Sequence, residues 1–332
     1  MKHHISISDV LLGNKMAVAR ALNFLENRRP EEIGRVSELI EQLSRNPRPG
    51  RHIIGITGPP GVGKSSLISR MIGEYRNQNQ TIGVISVDPS SRKSGGALLG
   101  DRARINWDPT DPGVFIRSMA AGRHLGGLAW RTRHLMTVFE AAYDVILLET
   151  VGVGQSETEI DEVVDTVVFV VQPGSGDSLQ FMKAGIMEIP HILVINKADQ
   201  KALAQKALND LEAVKSLGWM DKSGWQPGIV MTSALEGWGQ EELLTRLKAH
   251  QDHLISSDDN QRRRHNRISW ILLLYRERFG SFGMETLGGE ENILRLIEQV
   301  DIGNPFYGLC RLTEKLRDTL RSSNSGIIHE RT

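Results

Sequence analysis

Apolar positions along this chain change rhythm at His52. Before it, Val10, Leu11, Val18, Leu22 and Leu25, then Ile33, Val36, Ile40 and Leu43, recur mostly at helical spacing. That pattern predicts two amphipathic helices broken near Arg29-Pro30, with Asn46-Pro-Arg-Pro-Gly50 as a linker. From His52 short β-rich runs take over: HIIGITG (52–58), TIGVISVD (81–88), DVILLET (144–150), TVVFVVQP (166–173), HILVINKAD (191–199) and GIVMTSA (228–234), with VFIRSMA (114–120) a weaker one. Helical patterns fill 64–77, 124–142, 177–188, 201–217 and 239–253. Apolar strands alternating with helices predict an α/β fold, a mostly parallel sheet covered on both faces, with ligands at the carboxyl ends of its strands. Beyond residue 254 the strands cease. SSDDN (256–260) reads as a hinge; Ile268, Ile271, Leu272, Tyr275 and Phe279 form one helical stripe, and Leu309, Leu312, Leu316 and Leu320 another, in a helix started by Asn304-Pro305. Two such faces with no sheet of their own must pack on the main domain or on a second copy of the chain. The predicted parts are a helical extension at 1–50, a nucleotide domain at 51–254 and a helical arm at 255–332.

Composition narrows the classes. Lysine plus arginine and aspartate plus glutamate both number 40, so no global charge favours nucleic acid or an anionic membrane. A single cysteine, Cys310, excludes an intrachain disulfide. MKHHISISDVLLGNK has no continuous apolar core of the leader type, and ISWILLLY (268–275) is too short to span a bilayer, so a cytoplasmic protein is expected.

The chemistry starts at GPPGVGKSS (58–66). It ends one predicted strand and opens a helix, the context a phosphate-binding loop needs. Gly58, Pro59, Pro60, Gly61, Val62 and Gly63 let backbone N–H groups turn inward around phosphate oxygens. Lys64 supplies a cation to the β/γ-phosphates, Ser65 a hydroxyl for Mg²⁺, and Ser66 sits in the first helical turn. Asn196-Lys197-Ala-Asp199 chooses the base. A carboxylate at Asp199 accepts from both N1–H and the exocyclic amine of guanine, whereas adenine offers an acceptor at N1 and would leave the pair unmatched. Asn196 can hold the base edge, the Lys197 stem can lie over the ring, and Ser233-Ala234-Leu235 can present backbone N–H groups to the guanine oxygen. GTP or GDP is the implied nucleotide. Asp88, Asp101 and Glu149, with Ser65, are the candidate metal residues; Mg²⁺ bound to nucleotide keeps several waters, so acids in its outer sphere are reasonable.

Taken together, GPPGVGKSS, VDPSS, GDRARI, ETVGVGQSE, QPGSGDSLQFMKAGIMEI, NKAD and SAL resemble, in order, the MeaB/ArgK family of P-loop GTPases, over roughly residues 10–320. The resemblance implies a homodimer that assists a cobalamin-dependent acyl-CoA mutase, typically methylmalonyl-CoA mutase, by gating cofactor loading and protecting or rescuing the enzyme. It implies a C-terminal dimerisation arm, a switch at Gly152 to Glu157, and a further switch at Gln172 to Lys183 with Lys183 its notable cation. Pro190-His191 departs from the family pattern. Many nucleotide switches carry a glutamine where Val153 stands; Gln155 is the remaining candidate for orienting water, which predicts slow hydrolysis until a partner rearranges the loop.

Rival functions are a metallochaperone GTPase and a kinase linked to amino-acid transport. With one cysteine and only His250 and His253 at helical spacing, read as a solvated face, nickel or zinc delivery finds no ligand set. No acceptor-site base stands out for a kinase. The basic run QRRRHNR (261–267) reads as solvated arm charge rather than a nucleic-acid site.

Overall fold

The computed structural model describes residues 5–26, 32–88, 104–120, 129–150, 160–161, 163–174, 189–216, 224–256, 259–299 and 305–329. Three helices come first: α1 (Ile7–Leu11), α2 (Lys15–Leu25) and α3 (Ile33–Ser44). The first break is at Gly13-Asn14, which the spacing argument passed over. Gly13 takes a φ of 71°, and the Asn14 side-chain oxygen accepts from the Met16 and Ala17 N–H groups at 3.0 and 3.1 Å, capping α2.

All seven predicted runs form strands: β1 (His52–Thr57), β2 (Ile82–Asp88), β3 (Val114–Ala120), β4 (Val145–Glu149), β5 (Thr166–Val171), β6 (Ile192–Ile195) and β7 (Gly228–Met231). They make one parallel sheet in the order β3-β2-β4-β1-β5-β6-β7. The helices α4 (Lys64–Asn77), α5 (Ala129–Ala142), α6 (Lys201–Lys215) and α7 (Gln240–Ser256) follow the predicted segments closely. The helix predicted at 177–188 lies outside the described residues. One core packs Ile56, Leu67, Ile68, Leu147, Val194 and Leu247; the other sheet face carries Phe169, Leu193, Ile195 and Leu211. Truncating a fully buried leucine such as Leu67 or Leu147 costs about 2–5 kcal/mol, so these two layers fix the strand ends on which the site is built.

The reading of His250 and His253 as a solvated face is corrected. His250 is fully buried, with Nδ1 2.8 Å from Thr166 Oγ1, and that hydroxyl lies 2.6 Å from His52 Nε2. His191 is buried beside it: its Nδ1 accepts from the Val167 N–H at 2.9 Å, and its ring centroid is 4.3 Å from that of His250. The physical reason was in the sequence. His250 falls on the same helical stripe as Leu243, Leu247 and Leu254, all buried. His253 is half-buried, its ring 5.3 Å from Trp225.

By contacts the chain forms two compact units, Met1–Ala21 with Arg48–Ser257, and Leu22–Pro47 with Asp258–Thr332; the segment 1–50 is therefore shared between them. The second unit contains α3 with α8 (Asp259–Thr286), α9 (Gly289–Glu298) and α10 (Pro305–His329). Ile271, Leu272, Tyr275, Leu309, Leu312 and Leu316 of the two stripes are buried. Trp270 and Leu274 are buried as well, so α8 is covered on more than one side, while Leu320 is 36% exposed. Gly308 permits the approach of α10 to α8: a Cβ there would stand 2.8 Å from Ile271 Cδ1. The side chains of 261–267 lie outside the described residues. Among the described residues no helix is long and apolar enough to cross a membrane.

Candidate functional site

The predicted nucleotide residues converge at the carboxyl ends of β1, β4, β6 and β7. Gly58 leaves β1 with a φ of 137°, and a Cβ there would stand 2.1 Å from the Val170 carbonyl oxygen of β5, so only glycine lets the loop start here. Gly61 and Gly63 also have positive φ, 81° and 94°. α4 starts at Lys64, whose ammonium is largely buried and donates to the Gly58 and Pro59 carbonyls at 2.7 and 3.1 Å. A cation held by its own loop beside a helix N-terminus is an electrostatic arrangement suited to phosphate oxygens.

Glu149 ends β4 and is 3% exposed. β4 lies between β1 and β2, with Glu149 in register with Ile56 on one side and Ser86 on the other. That register brings the Ser86 hydroxyl to donate to Oε2 at 3.1 Å, while the Ser65 hydroxyl from α4 donates to Oε1 at 2.9 Å. Buried carboxylates need such donors, because desolvation otherwise costs several kcal/mol. Hydroxyl and carboxylate oxygens are also the hard donor set that Mg²⁺ prefers, and Ser65 with Glu149 fits it. Asp88 closes β2; its side chain, together with Asp101, Gln155, Lys183 and the stretch Gly152 to Glu157, lies outside the described residues. Among the described residues no group of three or more His, Cys, Asp or Glu side chains forms a metal site of their own.

The candidate base-binding residues are tied to this loop. Asn196 donates from Nδ2 to the Val62 carbonyl at 2.9 Å and accepts at Oδ1 from the Thr232 hydroxyl and the Ala234 N–H, both at 3.2 Å. It thus braces the phosphate loop against the Ser233-Ala234-Leu235 turn. Gly63 is part of that contact: a Cβ there would stand 2.4 Å from Asn196 Nδ2. Lys197, held at a φ of 57°, donates to the Gly61 carbonyl and to Gln172 Oε1, both at 2.7 Å. Asp199 Oδ1 accepts from the Ser233 hydroxyl at 2.8 Å, and Ser233 Oγ in turn accepts from the Glu236 N–H at 3.1 Å. Ser86, Thr232 and Arg70 join the site without having been singled out in the sequence. Ser86 carried a faint signal, a hydroxyl in an otherwise apolar strand two positions before Asp88.

A parallel seven-stranded sheet whose first strand runs into this loop, with an Asn-Lys-x-Asp turn at the end of β6, defines a P-loop GTPase. The family model described as "Methylmalonyl Co-A mutase-associated GTPase MeaB" matches residues 18–283. The chain belongs to that family, and its activity is GTP hydrolysis. It is 46% identical over 263 residues to a protein of Pyrococcus abyssi, covering 77% of this chain and 78% of that one. It is 34% identical over 271 residues to the GTPase ArgK of Escherichia coli, covering 80% and 81%. Among solved structures, that of an LAO/AO transport system kinase superposes with a TM-score of 0.67 at 27% identity, over 94% of this chain and 96% of the other.

Proposed function

We propose that this protein is a GTP-switched chaperone of a cobalamin-dependent acyl-CoA mutase, methylmalonyl-CoA mutase before others, gating cofactor loading and protecting or reactivating the enzyme. The observation that carries this reading is the family match across residues 18–283, whose description names association with that mutase. Lys64 would exchange the Gly58 and Pro59 carbonyls for β/γ-phosphate oxygens, and Asp199, oriented by Ser233, would read the guanine edge. Mg²⁺, held by Ser65 and Glu149 with Asp88 and Asp101 in support, would neutralise phosphate charge. With Val153 where a water-orienting glutamine often stands, the intrinsic rate would be low. Gln155 would complete the site only after partner contact, and Lys183 would belong to the coupling segment that starts at Gln172. The protein would act as a homodimer through residues 255–332, in the cytoplasm, away from nucleic acid and membrane.

The test is gel filtration of the purified protein with purified mutase, in GDP and in a non-hydrolysable GTP analogue, followed by measurement of cobalamin retained by the mutase. The reading expects a complex whose stability and cobalamin content change with the nucleotide. A mutase that never co-elutes and loads cobalamin equally with and without the protein contradicts it.

A further inference from the structure

We infer that Arg70, which lies in none of the nucleotide motifs, is a positioning residue that sets guanine affinity by orienting the Ser233-Ala234-Leu235 turn. Arg70 stands on α4, the helix that begins with Lys64 and Ser65. Its Nε donates to the Ala234 carbonyl at 2.8 Å and its Nη2 to the Leu235 carbonyl at 3.0 Å. The guanidinium lies against Gly237, where φ is 79° and a Cβ would come within 3.4 Å of Nη1.

These two bonds fix two peptide planes. In a trans peptide the N–H points opposite to the C=O, so holding the Ala234 carbonyl turns the Leu235 N–H away from α4. Holding the Leu235 carbonyl likewise turns the Glu236 N–H, which donates to Ser233 Oγ, the same hydroxyl that donates to Asp199. The Ala234 N–H is fixed from the other side by Asn196 Oδ1. The Leu235 side chain cannot substitute for Arg70, because it is 82% exposed and packs too little to hold the turn. Arg70 is therefore the link from the phosphate-binding helix to the backbone donors that meet the guanine oxygen. Charge-assisted bonds to carbonyls are the stronger class, and the planar fork serves two acceptors at once, which a lysine cannot reproduce.

This inference rests on the reading of Asn-Lys-x-Asp as the guanine site, and its test separates the two. Dissociation constants for GDP, IDP, XDP and ADP are measured on the full-length protein and on R70A, R70K and D199N, with circular dichroism checking the fold. Hypoxanthine keeps the six-oxygen of guanine and lacks its exocyclic amine, whereas adenine lacks that oxygen. R70A should weaken GDP and IDP by the same factor, about tenfold, and leave ADP unchanged, since the bond at Nη2 is solvent-exposed and only partly effective. The KM for GTP should rise with kcat within about twofold, and R70K should recover part of the loss; R70K alone decides the matter where R70A does not fold. Equal loss for ADP, or unchanged GDP and IDP binding, overturns the assignment of Arg70. D199N should exchange preference for GDP for preference for XDP; if it keeps GDP preference, the guanine-site reading falls, and Arg70 with it.

Discussion

Glu149 has a reach that aspartate lacks. From the end of β4 it accepts from Ser86 on the neighbouring strand and from Ser65 on α4, so a single carboxylate spans strand and helix. Glu149→Gln keeps that length and removes the charge; GTP turnover should fall about 10²-fold, with nucleotide still bound, in a single-turnover assay. Lys64→Ala should weaken nucleotide binding or abolish turnover, read by titration with a fluorescent GDP. Gly63→Ala strains a φ of 94° and pushes a methyl onto Asn196, so it should disable phosphate and base binding together. Lys64 and Asp199 were singled out in the sequence because short contiguous motifs carry the chemistry proposed for them. Ser86, Thr232 and Arg70 were not, since each acts on a partner brought near by strand register or helix packing across more than 30 residues.

At the scale of elements, the amino-terminal edge of the sheet is held by polar contacts as much as by apolar ones. Thr166 joins His52 of β1 to His250 of α7 through one hydroxyl. Thr166→Val should cost about 1–3 kcal/mol in urea unfolding while leaving GDP affinity unchanged, because the proposed nucleotide site lies at the other end of the strands. Carboxylates tie the same edge. Burial alone would raise the Asp144 pKa, but the Thr81 N–H, the Thr81 hydroxyl and Arg48 outweigh it and hold the group below its ordinary value. At Asp111 the Arg76 guanidinium is the main cause of the same downward direction, aided by the Gly113 N–H against a burial penalty. A carboxyl with a lower pKa folded than unfolded adds stability that is complete above the unfolded value of about 3.9 and is lost as pH falls from there through the folded value. The stability gap between the native chain and Asp144→Asn should therefore stay level from about pH 8 to about pH 5 and close below about pH 4 in thermal melts. Strand and helix types were legible from apolar periodicity. The burial of His250 was legible only once its place on the Leu243-Leu247-Leu254 stripe was weighed above its polarity.

For the whole molecule, the two units separate a nucleotide machine from a helical body. The leucine stripes announced that body, but not that residues 22–47 would join it, because the pairing of α3 with α10 depends on contacts almost 300 residues apart in the chain. Among the described residues of the proposed dimerisation arm, Ile255 is 66%, Phe282 63% and Leu320 36% exposed, a modest apolar remainder. In the proposed function the chain would hydrolyse GTP slowly until a mutase rearranges its switch residues. The direct measurement is steady-state GTP turnover by the purified protein, alone and with increasing methylmalonyl-CoA mutase, in the presence of Mg²⁺. A low basal rate that rises to a plateau with mutase is the predicted result; a fast rate that mutase leaves unchanged would contradict the proposed function.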